Sequence, residues 1–168
     1  MKTVYSVGNI PIDMKKKLLL LVAVFCFLGI GIQAQETMSK GQLVGSARLG
    51  FSNAGFPVAV AVDYGLLNGF INGNAALSAG GDVGVFMYNN AEGGIGVSLS
   101  AAARGNFHYE FVQNLDTYLG LNLGILGRGF AIGGHLGARY YFGGNWGINL
   151  ELGGGTTLGG SLGVSLKF

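Results

Sequence analysis

The last nine residues of the chain, GSLGVSLKF at positions 160–168, alternate between apolar residues and residues that are small or polar. In an extended strand the two sets lie on opposite faces. The apolar face holds Leu162, Val164, Leu166 and Phe168, and the other face holds Ser161, Gly163, Ser165 and Lys167. A terminal carboxylate is costly to bury in a protein core. A lipid-facing strand that ends at a membrane–water interface keeps the ring at the headgroup level and the carboxylate in water. The stretch therefore favours a membrane strand, and a strand of a soluble protein stays as the alternative.

The composition points the same way. The chain has 168 residues, enough for one domain, and 11% of them are charged, against about a quarter in typical soluble domains. Glycine accounts for 33 residues and proline for 2, and the mean hydropathy is +0.46. A chain this rich in glycine and poor in charge is better suited to lipid than to water.

The N-terminal region has the pattern of a secretory signal peptide. Three lysines at positions 15–17 precede an apolar run over residues 18–32, and Ala34 and Gln35 follow. The run of about 15 residues is short for a transmembrane helix, which needs about 20. We therefore expect residues 1–34 to be the signal peptide, with cleavage between Ala34 and Gln35, and a retained N-terminal anchor is the alternative. Cys26 would leave with the signal, so the mature chain would have no cysteine.

A second methionine, Met14, begins a conventional signal peptide by itself. Our hypothesis is that translation starts there and that residues 1–13 come from a mis-assigned start. A peptide from residues 1–13 detected in cells by mass spectrometry would contradict it. After cleavage, residues 35–41 would form a short periplasmic leader and residues 42–168 the barrel.

Period-two alternation runs through the mature chain and predicts eight strands. They cover residues 43–51, 58–66, 77–87, 95–111, 115–125, 130–142, 146–152 and 160–168. With both termini in the periplasm, the outer loops would be residues 52–57, 88–94, 126–129 and 153–159. The periplasmic turns would be residues 67–74, 112–114 and 143–145. The predicted fold is all-β, an eight-stranded antiparallel up-and-down transmembrane β-barrel.

The distribution of charge tests this pattern. Thirteen charged residues follow position 34; two lie in the leader, and Glu92 and Arg128 lie in predicted loops. The other nine all fall on the polar face of a predicted strand: Arg48, Asp63, Asp82, Arg104, Glu110, Asp116, Arg139, Glu151 and Lys167. A charge facing lipid near the bilayer midplane costs about 2–4 kcal/mol, so a membrane barrel requires this segregation. A soluble sandwich would show the same alternation, but it would carry larger polar residues on its outer face and edges.

Inside a barrel, four positive and five negative side chains would meet in a lumen that side chains just fill at eight strands. We expect them to pair and to close the lumen, with Arg48, Asp82, Arg104 and Glu151 in a middle layer. Six residues would lie closer to the periplasmic end: Asp63, His108, Glu110, Asp116, Arg139 and Lys167. The alternative is a narrow ion or proton path in which His108 and His135 titrate near neutrality.

Four stretches resemble small outer-membrane β-barrel proteins of the eight-stranded OmpA/OmpX type, often given porin-like names. They are VAVDYG at 60–65, ARGNFHY at 103–109, LDTYLG at 115–120 and ELG at 151–153. The resemblance implies a location in the bacterial outer membrane. It also implies that Phe168 is part of the signal read by the barrel-assembly machinery, and it does not imply that the lumen conducts.

Catalytic motifs are missing from the sequence. The stretch GGSLG at 159–163 fits the spacing G-x-S-x-G, but it leads into a predicted strand and not into the helix that follows a nucleophile elbow. Gly153, Gly154 and Gly155 lack the Lys and Ser/Thr of a phosphate loop. We therefore expect no enzyme, catalytic residue, cofactor or metal site, and no nucleic-acid partner. A structural or surface-interaction protein of the outer membrane is favoured, in contact with lipid, lipopolysaccharide and the secretion and barrel-assembly machineries. A narrow channel or small-molecule transporter is the alternative, a soluble secreted β-domain is third, and the oligomeric state stays open.

Overall fold

In the computed structural model the described residues are 38–51, 55–89, 94–154 and 159–168. They form eight β-strands in chain order. The strands are β1 (Leu43–Phe51), β2 (Phe56–Phe70), β3 (Ala75–Asn89), β4 (Ile95–Val112), β5 (Leu115–Leu126), β6 (Gly129–Tyr141), β7 (Trp146–Gly153) and β8 (Gly159–Lys167). Within the described ranges, no helix is long and apolar enough to cross a membrane.

Each strand pairs antiparallel with the next, and β1 pairs with β8, so that the sheet closes into a barrel. The closing seam runs from Val44 opposite Lys167 to Phe51 opposite Gly160. The terminal strand, β8, is therefore the strand that closes the barrel on β1. The prediction of a closed, all-β, up-and-down barrel of eight antiparallel strands is confirmed.

The two ends of the barrel differ in their connections. One end, called here the terminal end, holds the start of β1, the end of β8 and the connections β2–β3, β4–β5 and β6–β7. Its tightest turn has two residues between β4 and β5, where Asn114 adopts a φ of 65°. Asparagine tolerates this left-handed conformation better than most residues do. The opposite end, called the loop end, holds the other four connections.

The predicted boundary of β2 was wrong. The alternation ends at Leu66 and predicts a turn over residues 67–74, but β2 continues to Phe70 and the turn covers residues 71–74. The pairing of β2 with β3 shifts register between Gly65 and Leu67 and again between Asn68 and Phe70. A bulge adds a residue to one strand, so the period of two is lost although the pairing continues.

The barrel is apolar outside and polar inside. Among the described residues, 36 large apolar or aromatic side chains are exposed, whereas eight hydrophobic residues are buried. The buried set instead contains seventeen polar or charged residues. Soluble proteins show the opposite distribution.

The expected signal peptide (residues 1–34), its cleavage site at Ala34 and Gln35, and leader residues 35–37 lie outside the described residues. The remaining leader residues, 38–41, fold against β2, where the backbone N–H of Gly41 donates to the carbonyl of Gly65 at 2.8 Å.

Candidate functional site: the lumen of the barrel

The eleven ionisable residues singled out in the sequence all lie on strands and point into the lumen. Ten of them are buried, namely Arg48, Asp63, Asp82, Arg104, His108, Glu110, Asp116, His135, Arg139 and Glu151, and Lys167 is partly exposed. Alternation explains this placement, because each of these residues has the parity that faces inward on its strand.

Four of these residues form the middle layer of the lumen. The Arg48 guanidinium bridges Asp82 and Glu151, binding one carboxylate with each terminal nitrogen. Arg104 approaches the same two carboxylates from the opposite wall, at 2.7 Å to Glu151 and 3.5 Å to Asp82. Two positive and two negative groups therefore meet at one level, and their charges balance.

A second layer lies closer to the terminal end. Arg139 forms an ion pair with Asp63 and lies 3.4 Å from a carboxylate oxygen of Asp116. Arg104 Nε lies 3.1 Å from the other oxygen of Asp63, so it joins this layer to the middle one. Charge-assisted contacts of this kind, buried from water, are among the strongest polar contacts in proteins.

Tyr118 ties the two layers together from β5. Its hydroxyl donates to Glu151 at 2.8 Å, and the guanidinium carbon of Arg139 lies 4.5 Å from the centre of its ring. The sequence placed Tyr118 on the polar face of β5 but gave no reason to include it among the site residues. An aromatic residue at an inward position was the available signal, because a ring there can stack on a buried guanidinium.

His108 is hydrogen bonded on both nitrogens. Nδ1 lies 2.8 Å from Asp116 and Nε2 lies 2.9 Å from the hydroxyl of Ser78. This is the connectivity of a Ser-His-Asp triad. Ser78 is buried, however, and its oxygen also accepts a hydrogen bond from Asn106 at 3.1 Å. In this packed position the arrangement orients the groups rather than presenting a nucleophile to a substrate.

His135 lies beside Arg104 in the middle of the lumen. Its Nε2 is 2.7 Å from Asn106 Oδ1, and its Nδ1 is 3.3 Å from the side-chain amide of Asn122. Because Asn106 also donates to Ser78, the contacts form a continuous chain from Asn122 through both histidines to Asp116. Nine of the eleven residues are thus connected: Arg48, Asp63, Asp82, Arg104, His108, Asp116, His135, Arg139 and Glu151.

Glu110 and Lys167 lie at the terminal end with other contacts. Glu110 accepts a hydrogen bond from the backbone N–H of Asn114 at 3.1 Å, which fixes the β4–β5 turn. The Lys167 ammonium lies 3.8 Å from the centre of the Tyr141 ring. A cation over an aromatic face is stabilised by the ring quadrupole.

Glycines on the inner face make room for these large side chains. A Cβ atom at Gly137 would overlap the ring of Tyr118, and one at Gly120 would overlap Asn106 and His135. Part of the unusual glycine content is therefore a packing requirement of the lumen, since eight strands leave little interior space.

Toward the loop end the lumen changes character. The inward residues above the middle layer include the partly exposed Ser98, Ala102, Leu126, Ala131 and Ser161 and the buried Pro57, Phe86 and Ser100. The charged strand residues of the lumen thus lie in the middle layer and toward the terminal end.

The outer face carries a cluster of aromatic residues near the terminal end. Phe142 lies between Tyr140 and Trp146, with ring centres 5.3 and 5.0 Å away, and Tyr109 lies 4.7 Å from Phe111. Phe168 is 71% exposed, and its backbone N–H donates to the carbonyl of Leu43. These residues form a belt around the barrel.

No family sequence profile matches the chain, and no curated protein sequence matches it. Two solved structures match its fold. A de novo designed transmembrane β-barrel aligns with a TM-score of 0.58 and 15% identity, over 81% of this chain and 100% of the design. The N-terminal β-barrel domain of OprF from Pseudomonas aeruginosa aligns with a TM-score of 0.53 and 16% identity, over 78% of this chain and 100% of that domain. The chain has the fold of these two barrels.

Among the described residues there is no group of three or more His, Cys, Asp or Glu side chains placed to hold a metal ion. The carboxylates of the lumen are instead turned toward arginines. What the arrangement provides is a dense, nearly balanced network of ion pairs across the interior of a barrel.

Proposed function

We propose that the protein is an integral barrel of the bacterial outer membrane, with a lumen sealed by ion pairs and a structural or surface-interaction role. The observation that carries the proposal is the reversed polarity of the barrel. Exposed leucine, valine and isoleucine side chains cover the middle of the outer face, whereas the nine strand charges point inward. An aromatic belt at the terminal end fits a membrane–water interface.

The sealing of the lumen is supported by the geometry of the two charged layers. The Arg48, Arg104 and Arg139 side chains reach across the interior to carboxylates on other strands. An ion that crossed the lumen would have to separate pairs that are less than 10% exposed. Leaving a buried charge without its partner costs about 3–5 kcal/mol, so the closed arrangement should persist.

In this proposal the partners of the barrel are outer-membrane lipid and lipopolysaccharide, together with the secretion and barrel-assembly machineries that deliver it. Phe168, exposed at the end of the closing strand, would serve as part of the assembly signal. No catalytic residue, cofactor or nucleic acid is part of the proposed role.

Two measurements test the proposal in sequence. Protein extracted from outer membranes in detergent should migrate differently on a denaturing gel with and without boiling, because a closed barrel resists the detergent until it is heated. The same protein in planar bilayers should then show no stable conductance. Recovery from the soluble periplasmic fraction without a mobility shift would refute the membrane placement and favour a soluble secreted β-domain.

A narrow channel or small-molecule transporter is the second candidate, and two observations favour it. The hydrogen-bonded chain through His135 and His108 runs from the middle layer toward the terminal end. The Asn149 amide and Tyr141 hydroxyl are also buried near the terminal end without a protein partner among the described residues. Ordered water commonly satisfies such groups. Reproducible single-channel steps from the unmodified protein would support this role over a sealed lumen.

A further inference from the structure

The mouth of the lumen at the terminal end contains a side chain that does not come from the barrel strands. Met38, which belongs to the predicted leader, is 1% exposed. It packs with Val44 of β1 and Ala76 of β3, two inward-facing residues at that end of the lumen. The lumen next to it is polar, because Val44 pairs across the sheet with the buried Asp63.

Backbone hydrogen bonds hold this segment in place. Gly41 donates to the carbonyl of Gly65 at 2.8 Å, and Gly65 donates back to the carbonyl of Gln42 at 2.9 Å. One residue earlier, the N–H of Lys40 donates to the side chain of Asn68 at 3.2 Å. Residues 38–42 are thus attached to β2 by its main chain and by a side chain.

The segment also closes on itself as a tight turn. The N–H of Gln42 donates to the carbonyl of Ser39 at 3.1 Å, and the side chain of Gln42 accepts from the N–H of Ser39 at 3.0 Å. Gly41 adopts a φ of 84°, a conformation for which glycine is suited. The turn is therefore a defined structure rather than an extended tail.

β2 is shaped to accept this turn. The carbonyl oxygen of Ser39 lies where a Cβ atom of residue 65 would be, so only glycine fits there. The bulge between Gly65 and Leu67 lies at the same place. The bulge that interrupts the alternation of β2 therefore lies at the docking site of residues 38–42.

We infer that residues 38–42 are a plug that closes the mouth of the lumen at the terminal end, with Met38 as its apolar stopper and Gly65 as its docking point. The plug keeps water away from the Asp63 layer, and its release would open that end without unfolding the barrel. This role goes beyond the proposed function, because it holds whether or not the charged layers conduct and whether or not the barrel is in a membrane.

Cysteine labelling tests the plug in the purified full mature barrel in detergent. Met38→Cys and Lys40→Cys are made separately and treated with a water-soluble maleimide, and Cys26→Ser is included so that uncleaved precursor adds no second thiol. Lys40 is exposed, so its replacement reports the accessible rate in the same turn. We expect the thiol at position 38 to react more slowly, by about tenfold or more, because it reacts only when the turn undocks.

Gly65→Ala combined with Met38→Cys should bring the two rates close together, because the added methyl group displaces the Ser39 carbonyl. Gly105→Ala is the matched control: its Cβ would face outward with its nearest neighbour 4.0 Å away, and it should leave the difference unchanged. Equal rates at positions 38 and 40 in the parent background, or no effect of Gly65→Ala, would overturn the plug.

Loss of the heat-dependent mobility shift in Gly65→Ala would mean that this variant does not fold. In that case amide hydrogen exchange of the unmodified protein tests whether residues 38–42 are docked. Protection of Gly41 and Gly65, whose N–H groups form the docking bonds, supports the plug. Exchange of Gly41 at the rate of an unstructured peptide overturns it.

Discussion

Replacing Arg104 by leucine removes the side chain that joins the two charged layers of the lumen. Arg104 contacts Glu151 at 2.7 Å, Asp63 at 3.1 Å and Asp82 at 3.5 Å. The arginine, lysine and carboxylate side chains of the lumen make four positive and five negative groups, and the variant leaves three against five. The net charge of a buried interior thus changes from −1 to −2.

The expected loss of stability depends on the ion pairs that remain in the variant. Removing one partner of a buried ion pair costs about 3–5 kcal/mol. Each of the three carboxylates keeps one other arginine, because Arg48 still binds Asp82 and Glu151, and Arg139 still binds Asp63. We therefore expect Arg104→Leu to lower the free energy of unfolding by about 3 kcal/mol, the lower limit of that range.

Urea unfolding in detergent measures this change, with the single tryptophan, Trp146, as the fluorescent probe and the gel shift as a second one. Glu151→Gln is made alone and together with Arg104→Leu. The double variant removes one charge of each sign, so its loss should be smaller than the sum of the single losses by about 0.5–3 kcal/mol. An unchanged unfolding midpoint for Arg104→Leu, together with no conductance, would refute the sealed lumen.

Three further predictions follow from the same geometry. Deleting Phe168 should reduce the amount of barrel in the outer membrane while secretion continues, and an unchanged level in fractionated membranes would contradict its role in assembly. Gly120→Ala should destabilise the barrel by about 1–3 kcal/mol because its Cβ would overlap lumen side chains, whereas Gly134→Ala, with its nearest neighbour at 3.7 Å, should have a small effect on the urea midpoint. Leu121→Arg, at an outward position that is 69% exposed, should cost about 2–4 kcal/mol when the protein is unfolded from lipid bilayers. A surface change in a soluble protein would stay within about 0.5 kcal/mol, so a small loss there would count against the membrane placement.

Much of the fold could be predicted because period-two alternation depends only on the geometry of an extended chain. The inward placement of residues such as Arg48 and Glu151 follows from parity along each strand, without knowledge of the partners. The end of β2 could not be predicted in this way, because a bulge at Gly65 breaks the period while pairing continues. Alternation locates strands, and it fails where a strand is irregular.

The contacts within the lumen were less accessible from the sequence. The carboxylate that Arg139 binds depends on the shear of the barrel, which no single strand encodes. Arg139 on β6 binds Asp63 on the distant strand β2 as well as Asp116 on the neighbouring strand β5. The docking of Met38 was missed for another reason. One apolar residue in a short polar segment has no periodicity, so only the structure shows where it packs.

The ion pairs of the lumen join parts of the chain that are far apart in sequence. Arg48 and Glu151 are 103 positions apart. Ser46 and Ser165, which share a hydrogen bond of 2.8 Å across the closing seam, are 119 positions apart. In a partly assembled barrel some charged side chains would lack their ion-pair partners, and in lipid no water would be present to solvate them. Closure should therefore be late and cooperative, with β1 and β8 joining in the same step that neutralises the interior. For this chain the network of ion pairs that spans the finished barrel would also be a barrier to its folding without assistance.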